Sequence, residues 1–156
     1  MSPFVSKHGS VSPALPRPGI THVIFDFDGT LSWLRHGWPE LMAGLFLKHV
    51  PPSAIAARSQ IHDQFLSDIL SLNGKSSIFQ MEKCAERVRQ YGGPLLVPQE
   101  MLSQYSGALE KSIRERKTAI SERRAQRDDF VVHGARALLE QLQHRELVLI
   151  ILSGTV

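Results

Sequence analysis

Two carboxylates one residue apart, Asp26 and Asp28, stand where an apolar run breaks at a glycine, in the segment His22-Val23-Ile24-Phe25-Asp26-Phe27-Asp28-Gly29-Thr30. A carboxylate can act as a covalent nucleophile toward phosphorus, splitting one difficult displacement into two easier ones. It is a weak nucleophile against an anionic substrate, so such chemistry calls for a hard cation that holds phosphate and carboxylate together. Mg²⁺ suits that role, because it takes oxygen ligands and commonly uses one or two carboxylates beside substrate phosphate. Side chains alternate along an extended segment, which puts Asp26 and Asp28 on one side and Phe27 on the other. Gly29 lets the backbone turn away sharply. The plain alternative is a surface Asp-Gly turn after a strand. It leaves the second acid and the threonine unexplained, and Asp-x-Asp-Gly-Thr arises by chance about once in 600 chains of this length.

The elements that must position these groups are legible in outline. The apolar run before Asp26 reads as one buried strand. Residues 147–152, Leu-Val-Leu-Ile-Ile-Leu, read as a second, buried on both faces of a parallel sheet, and Ser153-Gly154 follows it. Leu138, Leu139 and Leu142 recur at helical spacing over 135–143, so a helix leads into that strand. Asp26 and Ser153 are 127 positions apart, whereas a plain βαβ unit needs about 30 residues or more. The intervening chain predicts four helices. The first starts from Leu34 with Trp38, Leu41, Met42, Leu45 and Phe46. The second, capped by Ser53 after Pro51-Pro52, carries Ile55, Phe65, Leu66, Ile69 and Leu70. A third opens at Ser76 or Ser77, carries Ile78, Met81, Ala85 and Val88, and ends at Gly92-Gly93-Pro94. The fourth runs from near Pro98 to about Arg127 with Met101, Leu102, Tyr105, Leu109 and Ile113. These apolar stripes read as core packing. In the turn Asn73-Gly74-Lys75-Ser76, the extended Lys75 can reach a substrate anion, or else is a solvated turn lysine. Arg35 and His36 follow the acidic loop closely.

The acidic motif, the strand ending in Ser153 and the helices between them resemble the haloacid dehalogenase-like phosphohydrolase superfamily over residues 20–156. The resemblance implies an α/β fold, an incomplete haloacid dehalogenase-like Rossmannoid core with an inserted all-helical cap. Its parts are a flexible leader (1–19), core strand 1 and nucleophile loop (20–33), helical cap (34–127), and core helix with strand 2 (128–156). It implies Asp26 as nucleophile and metal ligand. Asp28 becomes the general acid/base that also contributes to the metal site, Ser153 and Gly154 hold phosphate, and Lys75 leans over the site from the cap. Mg²⁺ is the implied cofactor. The expected activity is hydrolysis of a small phosphorylated metabolite, phosphoglycolate phosphatase-like, through an aspartyl-phosphate. Phosphonate cleavage or phosphosugar mutation by the same site is the alternative among enzymes. A catalytically inactive fragment or regulatory module is the alternative outside them. Family members continue past the second motif with a lysine and further acids for the phosphoryl group and the metal. The resemblance therefore implies a truncated copy with little turnover alone, or a second chain that supplies the missing half of the core.

Composition narrows the field. With 156 residues, 42% hydrophobic and 21% charged, the chain has globular rather than disordered character. A net charge of +3 and a pI near 9.3 favour anionic ligands. Residues 111–127 hold seven Lys/Arg, but Glu115 and Glu122 interrupt them, which reads as a solvated, salt-bridged helix face and not a nucleic-acid stripe. Cys84 is the single cysteine, excluding an intramolecular disulfide and a cysteine-based zinc site. The histidines are scattered without metal-ligand spacing, and His133 reads as a loop residue. Residues 1–19 lack an apolar core of signal-peptide length, and no segment reaches the roughly 18 apolar residues of a membrane span. A cytoplasmic protein without nucleic-acid or membrane partners is the expectation.

Overall fold

The computed structural model describes residues 19–153, apart from the side chains of 55–57. The expected leader, save Gly19, and Gly154 lie outside the described residues, as does the Ile55 side chain. The architecture is mixed α/β and mostly helical, with a two-stranded parallel sheet. Strand β1 (His22–Asp26) and strand β2 (Val148–Leu152) pair in register from His22 opposite Val148 to Asp26 opposite Leu152. Both strands thus lie where apolar, β-branched runs occur in the sequence.

Five α-helices lie between the strands, and the first four form a bundle: α1 (Trp38–Leu47), α2 (Arg58–Ser71), α3 (Ser77–Gln90) and α4 (Pro98–Ser121). Each buries one stripe at i, i+4 spacing, including Met42 and Phe46, then Ile61, Phe65 and Ile69, then Met101, Tyr105 and Leu109. On α3 the buried stripe is Gln80, Met81, Cys84, Ala85 and Val88. The stripes meet in one hydrophobic core, in which the rings of Phe46 and Phe65 stack with centroids 6.0 Å apart. Two polar contacts fix α2 against α3. Arg87 grips Asp68 with two hydrogen bonds, Nε to Oδ2 at 2.9 Å and Nη2 to Oδ1 at 3.2 Å. The buried Gln80 amide donates to the Ile69 carbonyl at 3.0 Å, satisfying an acceptor in the last turn of α2. Helix α5 (Ala135–His144) packs on β2.

Several expected boundaries shift for local reasons. Helix α1 starts at Trp38, not Leu34, because Trp33–His36 closes a turn of its own (His36 N–H to Trp33 O, 2.9 Å) and Gly37 caps the helix in the left-handed region. Ser53 falls inside a 3₁₀ turn, Pro52–Ala57, so α2 begins only at Arg58. Leu70, expected on the apolar stripe of α2, is 51% exposed. Helix α4 stops at Ser121 instead of running to Arg127. Arg123 adopts φ 58°, and the amides of Arg124 and Ala125 fold back onto the Ala119 carbonyl at 2.8 and 3.1 Å. A second 3₁₀ turn, Arg127–Phe130, follows.

Strand β2 departs most from expectation. It was expected to be buried on both faces, yet Ile151 and Leu152 are 58% and 67% exposed, and Ile24 on β1 is 63% exposed. Among the described residues β1 covers one edge of β2 and α5 one face, while the bundle core draws on α1–α4 alone.

Candidate active site

Strand β1 delivers Asp26 to its carboxyl end, directly opposite Leu152, so Ser153 follows at the same end of the neighbouring strand. Ligands of open α/β sheets gather outside such strand ends. The chain then wraps into a tight turn on one acceptor. The Phe27 carbonyl takes hydrogen bonds from the amides of Leu31 and Ser32, each at 3.0 Å. Gly29 sits in this turn at φ +82°, a conformation that a Cβ would strain. Hydrogen bonds from Trp33 N–H to Phe130 O (2.8 Å) and from Val132 N–H to Leu31 O (3.1 Å) pin the returning chain.

Side-chain contacts orient both acids. The Thr30 hydroxyl donates to Asp26 Oδ2 at 3.1 Å. Arg35 Nη1 donates to Asp28 Oδ2 at 2.9 Å, in an ion pair whose side chains are 28% and 27% exposed. Both acids open onto a cavity of about 640 Å³ between this loop and the helical bundle. Arg35 and His36 form part of its wall, and the α2–α3 turn contributes Asn73, Gly74 and Lys75. Gln80 and Tyr105 line it from the bundle, and so do both tryptophans of the chain, Trp33 and Trp38. Burial pushes the Tyr105 hydroxyl up to about 12, against a smaller opposing pull from Arg35, so it meets the cavity as a neutral phenol.

Asp26, Asp28 and Lys75 therefore share one cavity, with the strand end and the bundle as opposite walls. Ser153 lies at the adjacent strand end but is not among the described residues lining that cavity. Gly154 falls outside the described residues. Asp26 and Asp28 are oxygen donors of the type and number Mg²⁺ commonly takes from a protein. No group of three or more His, Cys, Asp or Glu gathers among the described residues. Sequence reasoning assigned Tyr105 only to core packing and passed over Gln80 and Trp33. The spacing of Trp33 and Trp38 around Arg35-His36-Gly37 was the available signal for an aromatic wall. No family model, curated protein or solved structure matches the chain.

Proposed function

We propose that the chain is a haloacid dehalogenase-like phosphohydrolase in which Asp26 attacks the phosphorus of a small phosphorylated metabolite. The observation that carries this reading is the shared cavity. It joins two acids at the carboxyl end of a parallel strand to a lysine presented by the helical bundle. In the first step an Asp26 carboxylate oxygen forms a bond to phosphorus while the bond to the departing alkoxide breaks. Asp28 gives that oxygen its proton. In the second, Asp28 takes a proton from water as the water oxygen attacks phosphorus, releasing inorganic phosphate and restoring Asp26. Thr30 supports the nucleophile by holding Oδ2 and so limiting the rotation of the carboxylate. Asp26 and Asp28 would hold Mg²⁺, which when bound supplies the positive charge that draws nucleophile and phosphate together. Ser153 lies at the adjacent strand end, where a phosphate oxygen fits, and Lys75 faces the non-reacting end of the substrate.

The exposed apolar faces of β1 and β2 support a further part of the proposal: additional strands from a second chain complete the sheet. Buried, helix-covered faces are the rule for parallel sheets. The decisive experiment is hydrolysis of phosphoglycolate or p-nitrophenyl phosphate with Mg²⁺, comparing wild type with Asp26→Asn. The expected result is little turnover by the chain alone, and turnover that vanishes in Asp26→Asn once a strand-supplying partner completes the sheet. Turnover that survives Asp26→Asn, or that stays absent with Mg²⁺ and a partner that completes the sheet, removes the reading.

A further inference from the structure

The basic run expected to be a solvated face contains one arginine that behaves differently. Arg114 pairs with Glu110 at 3.2 Å and Lys111 with Glu115 at 3.9 Å, each one turn away on α4. Arg116 instead crosses to the linker between the acidic loop and α1. Its Nη1 donates to the Leu34 carbonyl at 2.5 Å and approaches the Trp33 carbonyl at 3.4 Å, while Nη2 donates to the His36 carbonyl at 2.8 Å. A planar guanidinium carries several donors in a fixed fork, which suits the convergent carbonyls of one tight turn; a flexible ammonium does not match them together. The residue between two of those carbonyls is Arg35, whose own guanidinium holds Asp28. Two arginines in series thus run from the bundle to the acid pair: α4, Arg116, the Trp33–His36 turn, Arg35, Asp28.

We infer that Arg116 is a positioning residue that holds Arg35 on Asp28 and so couples the long bundle helix to the acid pair. Its consequence for turnover rests on the phosphohydrolase reading; the coupling itself does not. Arg116 thus ties α4 directly to the linker carbonyls on both sides of Arg35. Displacement of α4 would therefore draw on the same turn that carries Arg35. Bundle position then sets how firmly Arg35 holds Asp28.

The test uses the full chain with Trp38→Phe, so that Trp33, which meets His36 edge-on at 5.2 Å, is the only tryptophan. Acrylamide quenching of Trp33 reads the turn. Hydrogen exchange of the Arg35 guanidinium, assigned by NMR through its loss in Arg35→Lys, reads the ion pair. Arg116→Gln should raise quenching about twofold and speed Arg35 exchange several-fold, toward the rate in Asp28→Asn. Arg116→Lys should fall between, and Arg114→Gln should match wild type. If Arg116→Gln loses helical circular dichroism, the comparison passes to Arg116→Lys, which keeps the charge. Unchanged Arg35 exchange in the folded Arg116 variants, or the same change in Arg114→Gln, overturns the inference. Turnover that survives Asp26→Asn would sink the phosphohydrolase reading and leave the exchange rates to decide the coupling.

Discussion

Lys75 and Cys84 show how differently two side chains are committed. Lys75 is exposed on the rim of the cavity, on a turn whose Gly74 has φ +82°. If it binds the non-reacting end of the substrate, Lys75→Ala should raise KM roughly tenfold and change kcat little, as expected when uniform binding is removed. Equal losses in kcat and kcat/KM would instead place Lys75 at the reacting phosphate. Cys84 is fully buried in the bundle, and burial, with a smaller contribution from Asp68, pushes its thiol up to about 12. The native chain should therefore resist Ellman's reagent at pH 8, with labelling appearing only on unfolding. The same shift fixes a sign for stability. The folded thiol and the folded Tyr105 hydroxyl both titrate near 12, above their ordinary values of 9.0 and 10.0. Above pH 9 the unfolded chain loses protons that the folded chain keeps, so the stability held below pH 9 declines as pH rises toward 12. Thermal melts of wild type should fall across that window, and Cys84→Ala should fall less steeply. A flat wild-type profile would contradict the assignment.

At the level of elements, the bundle is held by stripes that any sequence periodicity can show and by a few contacts that it cannot. Phe65 is fully buried against Phe46, and Phe65→Ala should cost about 3–5 kcal/mol by urea denaturation, through lost transfer energy and a cavity. Gly93 was read only as a helix stop. A Cβ there would lie 2.5 Å from Val88 Cγ1 and 2.7 Å from the His49 carbonyl oxygen, so the chain from α3 to α4 passes where only glycine fits. Gly93→Ala should destabilise by about 1–3 kcal/mol, while Gly44→Ala on α1, where a Cβ meets nothing within 4 Å, should be neutral or slightly stabilising. Equal effects from the two would refute this packing account. Helix ends followed local chemistry where it was strong, as at Pro98 and at Gly92-Gly93. They missed it where a non-glycine residue took the left-handed region, as Arg123 does.

At the level of the whole molecule, the bundle has a sealed core and the sheet does not. Ile24, Ile151 and Leu152 are each more than half exposed, an apolar surface of the kind that recruits other chains. Sedimentation should show concentration-dependent association, or a defined complex when a strand-supplying partner is added. Ile24→Ser with Ile151→Ser should weaken either without lowering helical content; unchanged sedimentation would argue that these faces recruit nothing. No helix among the described residues is long and apolar enough to cross a membrane. The amino-acid sequence alone determined that a strand ends at Asp26, that another ends at Leu152, and that four amphipathic helices and a shorter one leading into the second strand lie between them. Those are short-range properties, set by alternation, by i, i+4 spacing and by glycine and proline stops. Only tertiary structure decided that the α2–α3 turn faces Asp26 and Asp28 across one cavity, that Tyr105, buried in the core stripe, also lines it, and that Arg116 reaches the Trp33–His36 turn. Such meetings depend on how helices cross and on contacts between residues some 80 positions apart, for which no local pattern in the chain is a guide.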